Sequence, residues 1–204
     1  EGRKTFMSKQ YKDAIGQLDR AAGLFPPRPF SAHELIGKSW YNLDDWSHAI
    51  PAFERSLAYH PHNAGVHYFL GRSLLEQGRN DEAVGSMKRA VELAPYRAEY
   101  LEGYAASLSR TGDEREAIRT FEKALQLDPN SSGTLHLLGS SHKALGHFPE
   151  AREAYESALL LDPDNAGILN SLGVVEVEVQ AYERAITIFQ GLYDTYPERP
   201  DYGL

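Results

Sequence analysis

The sequence predicts an all-α fold, a solenoid of antiparallel helix pairs stacked along one axis. Prolines recur at Pro61, Pro95, Pro129, Pro163 and Pro197, each thirty-four residues after the one before. The same interval carries a small residue through Ala49, Ala83, Ala117, Ala151 and Ala185, and a large apolar one through Phe53, Met87, Phe121, Tyr155 and Phe189. Within a period the helical spacing i, i+3, i+4, i+7 occurs twice, in His67, Leu70, Gly71 and Leu74 and again around Ala83, Met87 and Ala90. Each period therefore holds two amphipathic helices.

Five full periods span residues 30–63, 64–97, 98–131, 132–165 and 166–199, read as one domain. A partial period fills 1–29, where Tyr11, Ala14, Leu18, Ala21 and Pro26 take the same roles, and a tail of 200–204 follows. The interval from Pro26 to Pro61 is thirty-five, which places one inserted residue near Pro27, Arg28 and Pro29. The first helix of a period is expected to close at a glycine such as Gly78 or Gly112, with Asn80 or Asp113 capping the second. The second helix is expected to stop at Asp128-Pro129 and Asp162-Pro163, because proline restricts its predecessor and donates no hydrogen bond. A further small column, Gly37, Gly71, Ala105, Gly139 and Gly173, lets helix axes approach closely. Four positions depart from the pattern. Pro51 inside a second helix should kink or delay it, Asp44 and Gln180 replace the turn glycine, and Glu176 occupies an apolar column.

One hairpin buries too little apolar surface to offset the entropy of ordering it, so each neighbour must supply half of an interface. At the last repeat this predicts that Ile186, Phe189 and Tyr193 leave an incompletely covered apolar face. Either the chain continues over that face or another copy pairs with it.

Composition excludes several classes of function. The chain has 204 residues, a formal charge of −8 and no cysteine, which removes disulfides, thiolate nucleophiles and cysteine zinc sites. Nucleic-acid binding is disfavoured, since phosphate backbones require clustered Lys and Arg. The balance is uneven: residues 1–29 carry six basic and three acidic side chains, residues 30–204 fifteen and twenty-six. No apolar run approaches the roughly 18 to 20 residues of a membrane span, and the opening residues carry no signal-peptide pattern. The composition is that of a soluble chain and suits cytoplasm or periplasm equally.

With these columns the sequence resembles the tetratricopeptide repeat family. Segment 98–131, AEYLEGYAASLSRTGDEREAIRTFEKALQLDPNS, is similar to the family consensus, and 132–165 matches nearly as well. The resemblance implies a right-handed superhelical solenoid that acts as a protein-interaction scaffold. In the family, first helices line a concave groove that takes an extended or helical peptide. Carried onto this chain, the groove residues are Glu34, Lys38, Tyr41 and Asn42; then Tyr68, Phe69, Arg72 and Glu76; then Glu99, Glu102 and Arg110; then His136, Ser140 and Lys143; then Asn170 and Glu178. As exposed side chains, Tyr41, Tyr68, Phe69 and Arg72 would be the strongest anchors; alternatively the aromatics pack between repeats. Lys38 and Asn42 do not reproduce the lysine–asparagine set with which some members grip acidic chaperone tails. The other readings are a recruiting arm of a larger enzyme or of a secretion or assembly complex, and a self-assembling scaffold.

The sequence supports neither a metal site, a cofactor nor catalysis. His33 and His67 share a column and His60 and His62 flank Pro61, but zinc needs three or four convergent ligands. Glu99 and Glu102 are neighbours on a charged helix face rather than a recessed acid pair. The glycines follow the repeat, so packing rather than phosphate cradling explains them.

Overall fold

The computed structural model describes residues 10–18, 20 and 29–198, and the described elements are α-helices without strands. Residues 10–18 form α1. The rest are α2 (Pro29–Tyr41), α3 (Trp46–Tyr59), α4 (Ala64–Glu76), α5 (Asn80–Leu93), α6 (Ala98–Arg110), α7 (Glu114–Leu127), α8 (Ser132–Ala144), α9 (Phe148–Leu161), α10 (Ala166–Glu178) and α11 (Tyr182–Thr195). From α3 onward, every first and every second helix starts thirty-four residues after its predecessor. Ala21, Pro26, the insertion at Pro27 and Arg28 and the tail 200–204 lie outside the described residues. The chain divides into two compact units, Glu1–Ser107 and Leu108–Leu204, with the border inside α6.

One backbone device ends each first helix. Gly78, Gly112 and Gly146 take φ of 73°, 87° and 74°, and Asp44 and Gln180 take 57° and 62° at the equivalent positions. The amide after each left-handed residue returns to the last turn, as Arg79 N does to the Leu74 carbonyl at 2.9 Å and Ala181 N to the Glu176 carbonyl at 2.8 Å. The capping expected at the second helices is not found at two of them. Asn80 is already inside α5, and neither Arg79 nor Asp113 makes a side-chain cap bond. Side-chain caps stand instead mainly at first helices, where Asn63, Ser131 and Asn165 each accept an amide bond.

Pro51 does not delay its helix, since α3 starts in register at Trp46 and is capped by the Asp45 carboxylate. Ser47 and Pro51 are both exposed, so the carbonyl that lacks its intrahelical donor lies on the solvent side of the helix.

In the first unit α2 packs on α3, α3 on α4, and α4 on α5. Ala49, Phe53, Val66, Ala83, Met87 and Ala90 are wholly buried there, and Ile15 of α1 joins Ile36 and Ala52 in an adjoining cluster. In the second unit α7 packs on α8, α8 on α9, α9 on α10, and α10 on α11. Its core holds Ala151, Tyr155, Ala158, Ile168, Leu172 and Val175. The large column inserts where the small column leaves room: a Cβ at Gly37 would lie 2.6 Å from the Phe53 ring, at Gly139 2.6 Å from Tyr155, and at Gly173 2.6 Å from Phe189. Phe189 is thus packed on α10, and of the three residues expected to lie uncovered Ile186, 65% exposed, and Tyr193, 57% exposed, do so, with Tyr182 also 54% exposed.

Glu176 is wholly buried. Arg152 of α9 donates to its Oε2 at 2.6 Å, and Arg184 of α11 stands 3.0 Å from its Oε1, while Arg184 also binds Glu156. The Arg184 approach is at ion-pair distance but off hydrogen-bond geometry, and Arg152 Nε is buried without a hydrogen bond.

Candidate functional site

The predicted groove residues lie on or just after the first helices, and two groups of them are brought together, on α2 and α4 of the first unit and on α8 and α10 of the second. In the first unit α2 presents Lys38 and Tyr41 one turn apart, and α4 presents Tyr68, Phe69 and Arg72. Their rings interlock. Tyr41 meets Phe69 edge-on at 5.2 Å, Phe69 stacks on Phe53 at 6.1 Å, and Tyr68 stacks on Tyr100 of α6 at 4.9 Å. The Arg72 guanidinium lies 5.6 Å from the Tyr41 ring centre and 5.9 Å from that of Tyr68, and Lys38 Nζ lies 5.2 Å above Phe69.

Exposure sorts these residues differently from the sequence expectation. Tyr68 is only 6% exposed and belongs to the core, and Tyr41 and Phe69 are half-buried. The alternative in which the aromatics pack between repeats therefore holds for Tyr68, while Arg72 remains exposed. Burial raises the pKa of the Tyr68 and Tyr41 phenols, with the Arg72 charge opposing the shift in both, so both hydroxyls stay protonated at neutral pH.

Ion pairs distinguish the cations further. Lys38 binds Glu34 at 2.7 Å, and Glu34 also accepts from Asn63 at 2.9 Å. Arg72 is held against two rings, with the Tyr68 hydroxyl and the Glu76 charge close enough to act on it and the rest of its donor fork exposed. Asn42 reaches the Tyr11 hydroxyl at 3.4 Å, away from the rings. Glu99 is exposed near the Tyr68 hydroxyl, and Glu102 is half-buried.

In the second unit the face is polar. His136 and Ser140 of α8 face Ser171 of α10, with His136 Nε2 3.0 Å from Ser171 Oγ. The Tyr155 hydroxyl from α9 lies 3.1 Å from Ser140 Oγ. Proton directions follow from the backbone bonds. Ser171 donates its one hydroxyl proton to the Gly167 carbonyl at 2.9 Å, so the bond to His136 requires a proton on Nε2. Ser140 donates to the His136 carbonyl at 3.0 Å, which leaves its oxygen an acceptor for the Tyr155 hydroxyl, and that hydroxyl also interacts with Ser171. The direction from His136 to Ser171 is opposite to that of a histidine activating a serine. Burial, and secondarily the Lys143 charge, lowers the His136 pKa and keeps the ring neutral at pH 7.

Asn170 is half-buried beside Ser171, Lys143 is close enough for its charge to act on His136, and Arg110 is exposed at the end of α6. Sequence reasoning missed Ser171 and Tyr155. Their only signal is a hydroxyl at Tyr155 in a column otherwise filled by Phe and Met. Among the described residues no three His, Asp or Glu side chains converge on a metal position, and no helix is long and apolar enough to cross a membrane.

Comparison with known proteins places this geometry. The family profile for the TPR domain of cytochrome c-type biogenesis protein H matches residues 56–165, and a tetratricopeptide repeat profile matches 136–200. No curated protein matches the sequence. Among solved structures, MamA from Desulfovibrio magneticus RS-1 superposes with a TM-score of 0.77 at 17% identity, over 84% of this chain and 97% of that one. PilF of Pseudomonas aeruginosa gives 0.70 at 20% identity, over 97% and 95%. YrrB, described as a TPR protein with an unusual peptide-binding site, gives 0.69 at 16%, over 81% and 86%. At such identities these likenesses establish the solenoid fold alone, while the profile spans more than half of the chain and agrees with the thirty-four-residue period seen in both sequence and helices. The chain belongs to the tetratricopeptide repeat family.

Proposed function

We propose that the chain is a protein-interaction scaffold that binds a peptide or a segment of a partner protein on its first helices. The observation that carries this is Arg72, an exposed guanidinium positioned against two tyrosine rings, with Glu76 near it but no carboxylate at ion-pair distance among the described residues. A stacked guanidinium loses little freedom on binding and offers a rigid fork of donors, the properties that make arginine an interface anchor. Lys38, Tyr41 and Phe69 complete the first-unit face. YrrB, similar in fold, is described by its peptide-binding site, which agrees with this reading.

The test uses a peptide selected from a random displayed library against the whole chain. Arg72→Ala should weaken binding at least tenfold, a loss of about 1.4 kcal/mol. The control Arg79→Ala, whose guanidinium binds Glu82 at 2.6 Å on α5, should leave affinity unchanged. Equal affinity for Arg72→Ala and wild type removes this face from consideration.

A second reading draws on α11. Residues that precede Tyr193 in its column, Leu57, Val91, Leu125 and Leu159, are all half-buried, whereas Tyr193 and Ile186 stand out in solvent. This face would pair two copies of the chain. Sedimentation that shows a strict monomer at high concentration disposes of that reading.

A further inference from the structure

We infer that His136 is a peptide-recognition residue: a neutral imidazole, fixed with its proton on Nε2, whose bare Nδ1 accepts a main-chain N–H from an extended segment of the partner. This rests on the scaffold reading and gives the second-unit face its own ligand chemistry.

Four observations converge on it. First, the hydroxyl proton of Ser171 is committed to the Gly167 carbonyl, so the 3.0 Å contact to His136 is satisfied only with the proton on Nε2. Nδ1 is then a lone-pair acceptor. Second, Nδ1 makes no hydrogen bond to a described residue and is not sealed from solvent, so water or a ligand reaches it.

Third, the ring is braced. It lies 5.5 Å from the fully buried Tyr155 ring, and its own carbonyl is held by Ser140, which is in turn held by the Tyr155 hydroxyl. A preorganised acceptor costs little entropy to engage. Fourth, Lys143 selects among donors. Its positive charge acts at His136 and opposes a lysine or arginine side chain arriving there, but not a neutral amide. A helical ligand has already spent most of its main-chain N–H groups internally, which leaves an extended segment as the source.

The experiment has two arms. In the first, imidazole nitrogen shifts of the intact chain without ligand report the tautomer. The expected result is the Nε2–H form in wild type and a mixture in Ser171→Ala, and an Nδ1–H ring in wild type overturns the inference. In the second, a peptide selected from a random displayed library is rebuilt with each main-chain amide replaced in turn by an ester, which deletes one N–H. One ester should weaken binding to wild type about tenfold and have no effect on His136→Phe, which keeps an aromatic ring against Tyr155. If the peptide perturbs α8 and α10 but no ester is sensitive to His136, this inference fails and the scaffold reading stands. If it perturbs neither first-helix face, or no binder is selected, both fail.

Discussion

Removing one arginine should cost more than removing the carboxylate it neutralises, at the buried ion cluster of α9, α10 and α11. Glu176 is wholly buried, whereas the Arg152 and Arg184 side chains are 32% and 47% exposed. Arg152→Ala leaves a buried carboxylate with only Arg184, which is off hydrogen-bond geometry and already binds Glu156. Breaking a buried pair in this way costs about 3 to 5 kcal/mol, and the partial exposure of Arg152 places the expected loss near 2 to 3 kcal/mol. Glu176→Leu instead removes the desolvated charge and lets both arginines turn to water. Leucine already stands there two and three repeats earlier, at Leu108 and Leu74, so this change should fall within about 1 kcal/mol of wild type. Repeats can open individually, so the measurement is hydrogen exchange of α11 amides alongside urea denaturation. A second prediction follows for the double variant, in which Glu176→Leu should rescue Arg152→Ala by about 2 kcal/mol. If Glu176→Leu proves as damaging as Arg152→Ala, the account of the cluster is wrong.

Three further outcomes follow from packing, backbone geometry and titration. Gly139→Ala should lose about 1 to 3 kcal/mol by denaturation, because its Cβ would fall 2.6 Å from the immobile Tyr155 ring, while Gly133→Ala, with nothing within 4 Å, should be neutral or slightly stabilising. Gln180→Gly should raise the unfolding midpoint by an amount equivalent to about 1 kcal/mol, since Gln180 holds φ of 62° where three other repeats have glycine. Burial lowers the pKa of His67, His136 and His142 below the ordinary value of 6.5. The unfolded chain therefore takes up protons first on acidification. Stability is complete above about pH 6.5 and erodes as pH falls towards the folded values. Urea midpoints at stepped pH should show this slope, and His142→Leu should flatten it.

The fold was legible because packing repeats it. Proline, alanine and large apolar columns at one interval can be satisfied only by identical helix pairs, and the helices start at that interval from α3 onward. Asp44 and Gln180 were legible as stand-ins for glycine, since a fixed turn demands a left-handed residue whatever its side chain. Capping was not legible at Asn80 and Asp113: Asn80 falls inside α5 behind Arg79, which has no acceptor to offer, and Asp113 makes no cap bond although Asp45 at the equivalent turn does. The site was only partly legible. A helical face read from sequence does not separate Arg72, which is exposed, from Tyr68, which reaches across to Tyr100. Nor does it reveal that Ser171 lies against His136, since that contact joins residues thirty-five apart on two different helices.

The residue beneath each first helix sets what that helix can offer to a ligand. In the first unit the large column supplies Phe53 and Met87, which carry no hydrogen-bonding group able to brace a polar neighbour. Phe53 stacks on Phe69, and that ring in turn supports Lys38 and Tyr41. What reaches the surface there is a cation resting on aromatic faces. In the second unit the same column supplies Tyr155, whose ring fills the same gap against a glycine but whose hydroxyl emerges at Ser140. The surface above it becomes a chain of oriented hydroxyls ending at a neutral histidine. The face differs because Ser140 stands in the column that holds Lys38 and Arg72 in the first unit, and the Tyr155 hydroxyl beneath gives that serine a hydrogen-bonding partner without altering the helix pair. Tyr155→Phe should preserve the fold, because Phe121 and Phe53 fill that column elsewhere, and release the Ser140 hydroxyl from its donor. Retention of the Nε2–H tautomer with a newly mobile His136 ring in that variant would show that Ser171 sets the proton and Tyr155 sets the orientation. An unchanged ring would assign both to the helix backbone and remove Tyr155 from the argument.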